Sequence, residues 1–120
     1  MDSQSPGALL ATTHDADGLR VRLRLTRPSD ALRVSAFLDR HQPDLAGQAR
    51  RFTFYDPRER IVLAATAPID GSERIVGLAD LRPLEDETLV VVEDGEPAEA
   101  VRELLAEASL VLGERVRRAA

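Results

Sequence analysis

Polar and apolar residues alternate strictly over residues 20–25, where Val21, Leu23 and Leu25 occupy one set of positions and three arginines the other. A period of two is typical of a β-strand with one buried face, so Val21, Leu23 and Leu25 are predicted to point into the core. Three arginines on one face could bind a polyanion. We favour a solvated outer face, which also discourages aggregation through strand edges.

A helix is predicted directly after this strand. Pro28 and Ser29 suit the first positions of a helix, and Asp30 suits the positive end of its dipole. Apolar or half-apolar side chains then recur at helical spacing, at Ala31, Val34, Phe37, Leu38 and His41. His41 lies on the border of this stripe, so the pattern favours a capping or surface role over a catalytic one.

The segment that follows contains most of the aromatic residues. Residues 43–51 begin with Pro43 and place Leu45 and Ala49 where a second short helix would turn them inward. Three aromatic side chains come next and are predicted to pack in the core, namely Phe52, Phe54 and Tyr55.

A β-hairpin is predicted over residues 60–81. Residues 60–66 are rich in alanine and β-branched side chains and carry little polarity, which predicts a central strand. Asp70 and Gly71 form a strong turn signal, and residues 74–81 resume as the antiparallel partner. Gly77 inside that partner strand indicates a bulge or a close contact.

A fourth strand and a long helix end the pattern. Residues 87–92 contain four consecutive apolar side chains, which predict a strand covered on both faces and the most buried of the sheet. Pro97 suits a first helical position, and an amphipathic helix is predicted to run from there through Leu112. Its glutamates Glu99, Glu103 and Glu107 share one face, which we assign to solvent rather than to an arginine-rich partner.

These elements together predict one α+β domain, an α/β sandwich with a mainly antiparallel four-stranded sheet packed against helices. The length of 120 residues suits a single hydrophobic core. Residues 1–18 are rich in Ser, Thr, Gly and Asp without any period, so they are predicted to form a disordered, dispensable arm before a domain over residues 19–120.

Composition narrows the cellular location. The chain is 43% hydrophobic and 31% charged, as in ordinary globular proteins. No apolar run approaches the roughly 18 residues that a membrane span needs. The first residues show no basic start followed by an apolar stretch, so no secretion signal is recognised and a cytoplasmic location is expected.

Several residue types that drive chemistry are missing. The chain has no Cys, which excludes disulfides, thiolate nucleophiles and cysteine-rich zinc sites. All 16 basic residues are Arg, so a lysine Schiff base and a phosphate loop ending in Gly-Lys are excluded too. Two His residues make a poor metal shell, and no metal site is predicted.

The net charge of −5 conceals an uneven distribution. Residues 20–60 contain ten arginines and five acidic residues, whereas residues 61–97 contain two arginines and nine acidic residues. We expect these two regions to attract each other within one fold. Nucleic-acid binding is not expected, because aromatic residues for base stacking make up only 3% of the chain.

The order of strand, one or two helices, three antiparallel strands and a helix resembles the first half of the GNAT family of N-acetyltransferases. The resemblance covers residues 20–112. It rests on residues 23–31, which read Leu-Arg-Leu-Thr-Arg-Pro-Ser-Asp-Ala and are similar to the family's first strand entering its first helix. It also rests on the hairpin 61–81 with Ile75, Val76 and Gly77. If the chain is an enzyme, the resemblance implies an acyl-coenzyme A-dependent N-acetyltransferase.

The resemblance also implies a cofactor site. Val90, Val91 and Val92 would supply the cofactor-binding strand and Gly95 the loop that holds the pyrophosphate of acetyl-coenzyme A. In the family this loop is glycine-rich and offers backbone N–H groups, whereas residues 93–98 here contain one Gly, three carboxylates and a Pro. The expectation is a degenerate acetyltransferase-like domain with no cofactor, and no catalytic residue is carried over.

The alternative prediction is a non-catalytic interaction or regulatory module that forms a homodimer. If the strands follow one another as a meander, residues 87–92 form the last strand and their outer edge is bare. An apolar edge without Pro, Gly or an internal charge is one that natural proteins cover. A second copy of the chain is therefore the expected partner, and no membrane or nucleic-acid partner is expected.

Overall fold

The computed structural model describes residues 9, 10 and 12–119 of the chain. Its sheet has five strands that follow each other in chain order, and each strand is antiparallel to its neighbours. The strands are β1 (Thr13–Ala16), β2 (Leu19–Leu25), β3 (Ile61–Ile69), β4 (Ser72–Arg82) and β5 (Glu87–Val92). The predicted α+β class and the antiparallel meander are confirmed. The predicted count of four strands is wrong, because β1 was not recognised.

Strand β1 lies within the segment that was predicted to be disordered. It pairs with β2 through a turn at Asp17 and Gly18, whose φ angles of 52° and 91° are typical of a tight hairpin. The sequence does not reveal this strand, because its four residues, three polar ones followed by Ala16, are too few to show a clear period. Pairing with β2 and burial of Ala16 nevertheless order it. The remainder of the predicted arm, residues 1–8 and 11, lies outside the described residues.

One face of the sheet is covered by elements from the connection between β2 and β3. A 3-10 turn (Pro28–Asp30) leads into helix α1 (Ala31–His41), and a 3-10 segment (Pro43–Phe52) follows. The core on this side is a cluster of buried side chains from these elements and the sheet, including Val34, Phe37, Leu38, Phe52, Val62, Leu78 and Val91. The predicted first helix is confirmed, and the predicted second one is the 3-10 segment.

Helix α2 (Ala98–Ala119) covers the opposite face of the sheet. Its buried side chains Val101, Leu105 and Ala108 share one core cluster with buried side chains of the sheet, while Glu99, Glu103 and Glu107 are exposed as predicted. The protein therefore has three layers, with the sheet between two sets of helical elements. No helix in the described part of the chain is long and apolar enough to cross a membrane.

The most buried strand is β3 and not β5. Residues 61–67 are all buried, because β3 is the middle strand and both faces are covered. Strand β5 is at the edge, and only Val91 and Val92 are buried while Leu89 is 41% exposed. A run of apolar residues indicates that a strand contributes to the core, but it carries no information about position within the sheet.

Two further side chains predicted to be buried are open to solvent. Leu25 is 44% exposed because α2 lies mainly across β4 and β5 and leaves the end of β2 uncovered. Phe54 is 61% exposed and lies under the guanidinium of Arg50, whereas Phe52 is fully buried.

Gly77 satisfies both parts of its prediction. The β3–β4 register shifts between Ala65 and Thr66, opposite this glycine. A Cβ atom on Gly77 would lie 2.8 Å from Cδ1 of Leu105 and 3.1 Å from Cγ1 of Val101. Gly77 therefore lies at a close approach between α2 and the sheet.

We expect Gly77→Ala to lower the free energy of unfolding by about 1–3 kcal/mol, since the added methyl group overpacks this contact. Gly47→Ala is the matched control, because a Cβ there meets nothing within 4 Å. Urea denaturation of the two variants measures the difference. Equal stability of both variants would contradict the close packing of α2 on β4.

Candidate functional site

The residues of the expected cofactor site lie at the junction of β5 and α2. Val91 and Val92 are buried on opposite faces of the sheet, and Val90 is half-buried against the α2 side of the core. Gly95 is exposed in the loop and has a φ of 143°, a backbone conformation that side chains other than glycine rarely adopt. The structure thus places Val90, Val91 and Val92 at the end of β5 and Gly95 in the loop that connects this strand to α2.

Glu93, the first residue of the loop, is held by basic side chains. Arg74 Nη2 donates a hydrogen bond of 2.7 Å to Glu93 Oε1. The Nε2 atom of His41 lies 3.6 Å and Arg40 Nη2 3.9 Å from the same oxygen, and the His41 ring packs on Phe37. Arg74 therefore makes the close contact to Glu93, while His41 ends α1 as predicted and its Nε2 is too far from Glu93 for a hydrogen bond.

The rest of the loop is acidic and exposed. Asp94, Glu96 and Glu99 surround the N-terminus of α2, and within the described chain none of them forms an ion pair. Pro97 offers no N–H, and the N–H of Ala98 donates to the carbonyl of Gly95 at 3.2 Å. A phosphate beside these carboxylates would meet a repulsion of about 1 kcal/mol or more from each, so the junction is poorly suited to a pyrophosphate.

The outer edge of β5 carries backbone groups that face away from the sheet. The N–H of Glu93 donates to the carbonyl of Val76 at 2.9 Å, so odd-numbered residues of β5 point towards β4. Because these groups alternate along an antiparallel ladder, the backbone N–H and C=O groups of Thr88, Val90 and Val92 point outwards. A hydrogen bond confirms this direction for Val90, since Arg102 Nη1 of α2 donates to its carbonyl oxygen at 3.3 Å. No strand of the described chain pairs with this edge.

A cleft of about 450 Å³ opens beside the first half of β5 on the α1 side. Its charged lining consists of two arginines and three acidic residues, and its other side chains are mainly apolar. The lining residues are Leu45, Arg51, Phe52, Asp80, Arg82, Asp86, Glu87, Thr88 and Leu89. Sequence reasoning did not find this cleft, because its residues come from two regions, 45–52 and 80–89, that are remote from each other in the sequence.

Asp80 lines this cleft and forms a buried ion pair. Its Oδ1 lies 2.9 Å from Arg60 Nε, and the two side chains are only 9% and 16% exposed. Burial raises the pKa of Asp80, while the positive charges of Arg60, Arg51 and Arg82 act in the opposite direction. The pair joins the start of β3 to β4, and the Arg60 guanidinium carbon lies over the Phe52 ring, 5.7 Å from its centroid.

A second cleft, also of about 450 Å³, lies beside the end of β2 and the start of β3 and is mostly apolar. Leu25 and Ile61 belong to the strands, Leu112 and Val116 to α2, and Tyr55 to the opposite wall. The Tyr55 hydroxyl contacts the backbone carbonyls of Thr26 and Val62 at 3.5 and 3.4 Å. Its hydroxyl is therefore directed at the backbone, and the cleft offers few polar groups to a ligand.

The basic and acidic regions of the chain attract each other within the fold, as predicted. Arg24 and Arg33 lie 3.6 and 3.4 Å from Glu73. The buried pair of Arg60 with Asp80 and the long contact of Arg40 with Glu93 also join the two regions. Arg20 and Arg22 form the predicted solvated face of β2, but Arg24 is only 21% exposed and binds Asp30.

The comparisons leave this geometry as the only basis for a function. Comparing the chain with protein-family models, with curated proteins and with solved structures gave no match. Within residues 9, 10 and 12–119, no group of three or more His, Asp or Glu side chains could hold a metal ion. The candidate site is therefore β5 itself, with its outer edge, the acidic loop at one end and the charged cleft at the other.

Proposed function

We propose that this chain is a degenerate acetyltransferase-like domain that acts as a non-catalytic interaction module. The order of the elements supports the resemblance on which the proposal rests. Strand β2, helix α1, the 3-10 segment, the antiparallel strands β3 to β5 and helix α2 follow one another as the first half of a GNAT domain would. The two sets of helices lie on opposite faces of one sheet.

The acidic loop between β5 and α2 is the observation that carries the proposal. A loop that binds pyrophosphate presents backbone N–H groups and a positive helix end to the phosphates. Here Asp94, Glu96 and Glu99 occupy that position without ion-pair partners among residues 9, 10 and 12–119, and Pro97 removes one donor. The helix end is therefore already compensated by carboxylates, which favours a cationic partner over an anionic cofactor.

Calorimetric titration with acetyl-coenzyme A tests the proposal. We expect no binding heat from the wild-type chain at ligand concentrations up to about 1 mM, a range that would detect even weak complexes. The variant D94N/E96Q removes two of the repelling charges and serves as the comparison. Binding by the wild type with a dissociation constant of about 10 μM or tighter would overturn the non-catalytic function and restore the enzyme as the better hypothesis.

A further inference from the structure

We propose that the outer edge of β5 binds an extended, basic segment of another protein, which adds to the sheet as a sixth strand. The inference rests on the proposed function as an interaction module and names the chemistry of the partner. Backbone hydrogen bonds would supply affinity, and charged side chains on both ends of the segment would supply specificity.

The edge has the backbone geometry that strand addition requires. Thr88, Val90 and Val92 present their N–H and C=O groups outwards, and no strand of the described chain covers them. Among the described residues of α2, Arg102 reaches this edge with one exposed hydrogen bond to the carbonyl of Val90. A single contact of this kind with a long, exposed side chain is readily exchanged for a strand.

The charge around the edge is negative at both of its ends. Glu85, Asp86 and Glu87 lie at the start of β5, where Arg82 and Arg117 compensate them only in part. At the other end, Asp94 and Glu96 are exposed and form no ion pair among the described residues. An arriving strand with Arg or Lys at both ends is therefore complementary to the edge.

The same charges oppose a second copy of this chain as the occupant. A two-fold antiparallel pairing of β5 with itself, with Val90 opposite Val90, places Thr88 opposite Val92. It also places Asp86 opposite Asp94 and Glu87 opposite Glu93. Like charges directly opposite each other destabilise a strand pair, so Asp86 opposite Asp94 disfavours this register of the homodimer that the apolar run predicts.

The cleft beside β5 gives the added strand a site for one basic side chain. The residues of that strand that pair with Glu87 and Leu89 would direct their side chains to the α1 side of the sheet, over the cleft. Asp86 and Glu87 line its rim, and the buried carboxylate of Asp80 deeper in the cleft is already paired with Arg60 at 2.9 Å. Arg82 is paired with Glu85 at 3.1 Å and Arg51 lines the cleft as well, so the attraction for a basic side chain comes from Asp86 and Glu87 at the rim.

Fluorescence anisotropy with two labelled peptides tests the inference. The basic probe is Arg-Arg-Val-Thr-Val-Thr-Val-Arg-Arg, and the control has Glu in place of each Arg. We expect the basic peptide to bind at least about tenfold more tightly than the acidic one, with an affinity that falls as salt is added. Amide chemical shifts of Thr88, Val90 and Val92 should change most during an NMR titration with the basic peptide.

Matched variants separate the edge from general attraction between opposite charges. D94N/E96Q should weaken binding of the basic peptide by about fivefold or more, whereas E103Q/E107Q, equally exposed on α2, should leave it within about twofold. Val90→Pro removes an outward N–H and should abolish binding. Its circular dichroism spectrum and unfolding curve establish whether it remains folded, and the charge variants carry the test if it does not.

Three results would overturn the inference. One is equal binding of the two peptides, and another is equal weakening by the two double variants. The third is a mass of about twice 13.1 kDa in light scattering that Val90→Pro halves, because a second copy would then occupy the edge. None of these depends on acetyl-coenzyme A, so the titration of the cofactor reports separately on the proposed function.

Discussion

Replacing Asp30 by alanine is expected to lower the free energy of unfolding by about 3 kcal/mol or more, because the change breaks a buried ion pair by removing one partner. Both carboxylate oxygens of Asp30 accept a hydrogen bond of 2.8 Å from Arg24, and Oδ2 also accepts one of 2.8 Å from the backbone N–H of Arg27. The Asp30 side chain is only 3% exposed. Glu73, at 3.6 Å from Arg24, compensates only part of the loss.

The stability lost in this variant should depend on pH. The hydrogen bonds from Arg24, aided by the N–H of Arg27, hold the pKa of Asp30 below its ordinary value of 3.8. A carboxyl group whose pKa is lower in the folded state stabilises the fold fully above its unfolded pKa, and the contribution disappears as the pH falls through the folded pKa. The wild type and Asp30→Ala should therefore differ most near neutral pH and converge in acid.

Urea denaturation at several pH values measures both effects. Asp56→Ala is the matched control, because Asp56 also pairs with an arginine, Arg58 at 3.1 Å, but on the surface of the protein. Removing an exposed pair should change stability little. If both variants were equally stable at pH 7, the Arg24 pair would have no special role in joining β2 to the start of α1.

Leu9→Ala should have a comparable effect, of about 2–5 kcal/mol, although the sequence placed this residue in a dispensable arm. Leu9 is 2% exposed and belongs to the core between the sheet and α2. Its carbonyl oxygen also lies 3.0 Å from Nε2 of His14 in β1. Truncating the side chain would therefore leave a cavity beside the first hairpin.

Thermal unfolding of Leu9→Ala and of Leu32→Ala provides the comparison. Leu32 is 86% exposed on α1, so its replacement should leave the midpoint nearly unchanged. A chain truncated to begin at residue 18 should unfold at a temperature at least as low as Leu9→Ala, since it also lacks β1. If the truncated chain kept the wild-type midpoint, the first 17 residues would be dispensable, as the sequence predicted.

Part of the candidate site could be predicted from the sequence. The acidic, glycine-poor loop after β5 follows from adjacent residues, and the bare edge follows from the meander order. The anchoring of Glu93 by Arg74 and the cleft around Asp80 and Arg60 could not be predicted, because the partners are 19 and 20 positions apart and meet only when the sheet forms. Ion pairs of this kind leave no local pattern.

The sequence by itself determined the local elements whose signals lie within a few residues. The alternation in β2, the turn at Asp70 and Gly71, and the apolar stripe of α1 are examples, since side-chain periodicity and backbone preference act over short distances. Tertiary structure alone decided how deeply each element is buried. Strand β3 lies at the centre of the sheet and β5 at its edge, the Leu25 side chain is exposed to solvent, and β1 is held by pairing with β2. These outcomes depend on which surfaces meet across the fold, and local sequence patterns carry no such information.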